Sequence, residues 1–145
     1  MKKSERGANL LEMAIVTPVL LLLLAGVVDL GRAFYSYIVI ANAAREGARV
    51  ASRLPCYQDS SAQRAALRNE IISAALQEAA NSGIQLYPGN VMIDPDPLSR
   101  CAGSGNPISV TVSYQHHTWL MSITGIGNFV LSSTTRMVVF GNDQL

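Results

Sequence analysis

An α+β chain is expected from this sequence: one long N-terminal helix, a second helix and a small antiparallel sheet. An apolar stretch opens near residue 13, and its helical pattern continues as a face of small residues to about residue 54. A second segment of helical period lies between Ser60 and Ala80. Further on, Ile108, Val110, Val112 and Tyr114 alternate with Ser109, Thr111 and Ser113, the period of a strand with one face buried. At 145 residues, 49% of them hydrophobic, the chain suits one compact domain plus an anchor. Its mean hydropathy of +0.24 is raised by the N-terminal segment. A net charge of +1 offers no broad basic field, so nucleic acid is not an expected partner.

The N-terminal element begins with a basic tip, Lys2, Lys3 and Arg6 with Glu5, followed by Gly7-Ala-Asn-Leu-Leu-Glu12. From Met13 to Val28 there is no charge, and the run includes the five leucines Leu20 to Leu24. A basic tip stays on the cytoplasmic side while the apolar run enters the bilayer. Glu12 is the exception at the mouth of that run, because a carboxylate is costly in lipid and needs a partner. The 16 charge-free residues cover about 24 Å as a helix, short of a hydrocarbon core of about 30 Å, so the span must reach beyond them. Asp29 and Arg32, three apart on one helical face, can satisfy each other there while Arg32 snorkels toward head groups.

Gly7, the small residue after it, a glutamate five positions on and a hydrophobic helix together resemble the class III signal of type IV pilin-like proteins. Asp29-Leu-Gly-Arg-Ala-Phe34 and Ala43-Ala-Arg-Glu-Gly-Ala-Arg-Val-Ala51 are similar to the TadE-like minor pilin family of tight-adherence (Flp) pili. The resemblance covers about the first third of the chain well and the rest only in outline. It implies cleavage between Gly7 and Ala8 by a prepilin peptidase, and a role for Glu12 in balancing the new amino group of Ala8 on a neighbouring subunit. It also implies a division into a cytoplasmic leader (1–7, removed), an N-terminal helix (8–54, transmembrane over about 13–32) and an exported α+β domain (55–145). The expected partners are the inner membrane, the peptidase, other pilin subunits and the pilus assembly machinery. Without the leader the chain keeps eight arginines, nine acids and no lysine, a formal charge of −1.

Two plainer readings of the N-terminus compete. A secretory signal peptide would end in a small-residue exit, but the apolar pattern runs past Asp29 through Ala33, Phe34, Ile38 and Ile40 without one. An uncleaved anchor accounts for the tip and the run, though not for the Gly7 to Glu12 spacing.

Within the long helix, Pro18 lacks an amide hydrogen and crowds the preceding turn, which predicts a bend or local melting. In a filament subunit this would let the spine adapt; transmembrane helices also simply tolerate proline. Beyond the membrane, Ala41, Ala44, Ala48 and Ala51 share a face with Gly47 beside them, inviting close approach of another element. Arg45, Arg49 and Arg53 form a stripe suited to a solvated helix C-terminus, or to docking on acidic neighbours; Asp29, Arg32, Arg45 and Arg49 are thus candidate intersubunit contacts. Pro55 ends the helix.

The second helix is capped by Ser60 or Ser61 and stopped by Asn81-Ser-Gly83. Its broad apolar face, Leu67, Ile71, Ala74, Ala75 and Glu78 with Ile72, Leu76 and Ala79 alongside, suits packing on a sheet. Strands are expected at Val91–Ile93, Ile108–Tyr114 and Val130–Phe140. Residues 116–128 between the last two read as irregular or as a short helical turn, with Trp119, Leu120 and Met121 expected in the core.

Cys56 and Cys101, the two cysteines, both fall on the exported side and are expected to pair in an oxidising compartment; free buried thiols are the alternative. No cofactor, metal or catalytic group is expected. Two cysteines do not make a zinc site, and Asp59, Asp94 and Asp96 stand in proline-bounded loops without a calcium-loop pattern. His116 and His117 cannot share one side of a strand and lack an evident nucleophile, and Gly125-Ile-Gly127 lacks the third glycine of a dinucleotide loop. The sequence reads as a structural subunit, with a non-polymerising assembly factor or a tip adhesin as alternatives.

Overall fold

The structure, a computed structural model, describes residues 3–54, 56, 60–119 and 128–140. Its elements are α1 (Lys3–Arg53), α2 (Ser61–Asn81), a 3-10 turn (Pro88–Asn90), β1 (Val91–Asp94), β2 (Pro107–His116) and β3 (Phe129–Val138). The three strands form an antiparallel sheet in the order β1-β2-β3, so the fold is α+β as expected. The chain divides into two compact units, Met1–Phe34 with His117–Asn128, and Tyr35–His116 with Phe129–Leu145.

In the first unit, α1 carries the apolar run. Every side chain from Asn9 to Leu24 is exposed, the five leucines by 42–63%. One helix among the described residues is long and apolar enough to cross a membrane; its 18-residue window has a mean hydropathy of 2.4 and none of it is buried. Large aliphatic groups left outside the fold to this extent need an apolar environment from elsewhere.

The second unit holds the core. The later part of α1 contributes Val39, Ile40, Ala43, Ala44, Ala48 and Ala51, and α2 contributes Leu67, Ile71, Ile72, Ala75 and Ala79, rows spaced four apart that face one another. Val91, Ile93, Ile108, Val110 and Val112 complete it from β1 and β2. Small residues on α1 let these layers close up. A methyl group added to Gly47 would lie 3.2 Å from Val110 Cγ1 and 3.4 Å from Ala75 Cβ, so no side chain fits there without movement. Register puts Val91 opposite Val112 and Val110 opposite Thr135, on the buried side of the sheet, while Thr111 and Thr134 meet on the other side with their hydroxyl oxygens 2.8 Å apart. β3 buries none of its ten residues.

The termini of α2 are satisfied locally. The Ser60 hydroxyl accepts from the Gln63 amide at 3.3 Å, and beyond the C-terminus Gly83, at φ +76°, turns the chain so that Gly83 and Ile84 donate to Ala80 and Ala79. After β3, Val139 donates to Asn106 and Phe140 to Ser52, which ties the end of the sheet to the last turns of α1.

Three expectations need correction. α1 is helical through Pro18, so the proline does not melt it, in keeping with the alternative of a tolerated proline. Trp119 is 64% exposed rather than in the core, because its backbone is held by a polar group instead of an apolar pocket; Leu120 and Met121 lie outside the described residues. His116 is the last residue of β2 rather than part of an irregular segment, and it alternates inward as its position in the strand requires. Pro55 and Asp59 also lie outside the described residues. β3 begins one residue before the expected strand and ends at Val138.

Candidate functional site

The site expected from the sequence spreads along α1. Gly7 is in the helix and exposed, with nothing within 4 Å of where a side chain would begin, and Ala8 follows it in the helix. Glu12 is exposed one turn further on. A helix holds these positions because nothing in Gly7–Val16 except the glycine resists helical geometry.

Asp29 is different, being only 5% exposed. Its Oδ1 accepts from Arg32 Nη1 at 3.3 Å, one helical turn away, and from the backbone amide of Trp119 at 3.1 Å, ninety residues along the chain. The Arg32 guanidinium in turn lies over the Trp119 ring, 4.4 Å from its centre, a cation–π contact that also shields the carboxylate.

In the other unit, Arg45 and Arg53 are exposed, while Arg49 is engaged: its Nε donates to Glu46 Oε2 at 2.7 Å and its Nη2 to Glu46 Oε1. The Arg49 hydrogen bond holds the Glu46 carboxyl below the ordinary glutamate value, against the opposing effect of burial, and the same bond raises Arg49. Both stand past the stretch read as transmembrane.

Cys56 and Cys101 are joined by a disulfide that closes a separation of 45 residues. Beside it is a pocket of about 440 Å³ lined by Pro95, Arg100, Cys101, Ala102, Gly103, Asn106 and Pro107, which offers no acid–base pair and whose sulfur is already bonded. Asp96 is occupied as a loop former, accepting from the Leu98 amide at 2.9 Å and from Arg68 Nε at 3.1 Å. Among the described residues no group of three or more histidines, cysteines or carboxylates is placed to hold a metal ion.

Partnerships not legible in the sequence include Asp29 with the Trp119 amide, Arg68 with Asp96, and Ser36 Oγ with His116 Nδ1 at 3.4 Å, the last buried beside the Tyr114 and Phe129 rings. Each joins residues 28 to 90 apart, and the nearest signal was a short polar side chain inside an otherwise apolar helical face, as at Ser36.

An exposed apolar helix, long and apolar enough to cross a membrane, precedes a small α+β core, an arrangement that suggests membrane anchoring. Residues 7–49 match the family model described as TadE-like protein, which upholds the resemblance read from Asp29–Phe34 and Ala43–Ala51. The match ends just after the close approach at Gly47, leaving the rest of the second unit outside it. No curated protein and no solved structure matches the chain.

Proposed function

We propose that the chain is a structural, minor-pilin subunit of a tight-adherence pilus, cut between Gly7 and Ala8 by a prepilin peptidase and built into, or priming, a surface filament. The observation that carries this reading is the coincidence of the TadE-like match over residues 7–49 with a helix whose apolar window is wholly exposed. Such a surface suits lipid before assembly and the packed helices of a filament afterwards. In this reading residues 55–145 are exported, and the disulfide suits an oxidising compartment. Glu12, exposed near the start of the mature helix, pairs with the Ala8 ammonium of an adjacent subunit; opposite charges attract far more strongly in an apolar setting than in water. Removing one partner of a buried pair costs about 3–5 kcal/mol.

The test compares the native chain with Glu12→Gln. N-terminal sequencing should find Ala8 first in both. Quantifying the chain in membranes and in sheared filaments should show the variant present in membranes but depleted from filaments. Native chain that is processed yet absent from filaments would make the protein a non-polymerising assembly factor. An N-terminus still at Met1 in cells with active peptidase would make it a simple anchor.

A further inference from the structure

We infer that Trp119, clipped to α1 through Asp29, is a membrane-interface anchor seated among phospholipid head groups, and that it sets the depth at which the helix stops. The inference rests on the reading of α1 as membrane-inserted. Spanning a core of about 30 Å takes about 20 helical residues, so a span that starts at Met13 ends near residue 32. Asp29 therefore comes to lie at the inner edge of the interface, where a bare carboxylate is costly.

The structure removes that cost. Asp29 Oδ1 receives Arg32 Nη1 at 3.3 Å and the Trp119 amide at 3.1 Å, and its side chain is 7% exposed. One of these donors is a backbone group, so the clip holds the main chain at Trp119 against the helix and leaves the indole to face outward.

What faces outward is matched to one surrounding. Trp119 is 64% exposed, and Leu30 and Phe34, in the same compact unit, are exposed by 72% and 65%. Arg32 lies over the indole while its own side chain stays 40% exposed. Water disfavours the apolar groups, and hydrocarbon disfavours the guanidinium and the indole N–H. The head-group layer satisfies both, since tryptophan concentrates there with one end dry and the other wet. Arginine can meanwhile reach a lipid phosphate with charge complementarity. The occupant of this surface is thus the bilayer interface.

Trp119 is the single tryptophan of the chain, so its fluorescence reports this position without labelling. The full chain is placed in phosphatidylcholine–phosphatidylglycerol vesicles carrying spin-labelled lipids, with the label shallow or deep. Blue-shifted emission is expected, quenched more by the shallow than by the deep label and little by aqueous iodide. Asp29→Leu should lose most of the shallow-label quenching and gain iodide quenching while still floating with the vesicles; Asp29→Asn, which keeps an acceptor, should retain the native pattern. Iodide quenching without lipid quenching, in native chain that floats, would overturn the inference and leave the anchor reading intact. Protection from both quenchers that disappears on dilution with lipid would assign the surface to a second copy and overturn it equally. If Asp29→Leu behaves as native, Asp29 is not the clip. A chain that fails to float would overturn the anchor reading and this inference together.

Discussion

Residues 13–28 and residues 39–51 belong to one uninterrupted helix, yet their apolar side chains meet different surroundings. In the first stretch Leu20 to Leu24 are all exposed; in the second Ala43, Ala44 and Ala48 are completely buried. A soluble helix places its large apolar side chains inward. Here the large groups meet an outside medium that accepts them, whereas the small ones mark where α2 and β2 come close to the backbone at Gly47. The same helix thus presents large apolar groups outward in one stretch and packs Val39, Ile40 and the alanines against protein in the other. The polar groups differ in the same way. Glu46 and Arg49 pair in the open, where a pair of this kind stabilises weakly, while Asp29 is buried and held by two donors.

If the two stretches are energetically separate, each can be damaged alone. The largest effect should come from removing the bridge with Cys56→Ser and Cys101→Ser together. Releasing a 45-residue closure costs about 4 kcal/mol in the chain-entropy model, read as a lower midpoint in chemical denaturation of the second unit. Flotation with membranes should be unchanged; lost flotation would show that the folded unit supports the anchor.

Leu22→Arg should do the opposite. A charge at the centre of a spanning helix costs about 2.5–3.5 kcal/mol on insertion scales. Carbonate extraction should release more of the variant from membranes, while its disulfide forms and its core protections in hydrogen exchange stay native. An equal effect from Leu22→Ala would point to a packing surface instead of lipid.

The smallest of the three effects is expected at Gly47. Gly47→Leu overpacks the contact with Val110 and Ala75, a change costing about 1–3 kcal/mol. Gly47→Ala gains helix propensity of about 1 kcal/mol against a tight contact, so it should lie near native. Thermal unfolding of the detergent-solubilised chain separates these outcomes, and Leu more stable than Ala would mean the approach is looser than its distances imply.

Much of the architecture follows from local pattern. Ser60 and Gly83 bound α2 because an N-cap oxygen and a positive φ are properties of single residues, and the alternation from Ile108 to Tyr114 is enough to assign a buried and a polar face to β2. Trp119 misled for the converse reason: an aromatic residue is buried by default, and only the distant Asp29 and Arg32, which hold its backbone amide and one face of its ring, place it where it stands. Local pattern left open whether Pro18 would melt α1 or be tolerated, since its consequence depends on the turns around it.

By itself the sequence determined where helices and strands occur, that one helix is apolar enough to span a membrane, and the Gly7 to Glu12 spacing, because periodicity, capping and charge are written in consecutive residues. Only the tertiary structure decided that Val110 and Ala75 are what come close at Gly47, that the two cysteines are bonded rather than free, and that the Trp119 amide reaches Asp29. Those outcomes depend on distances between residues far apart in the chain, and such distances exist only once folding has offset the entropy of bringing them together.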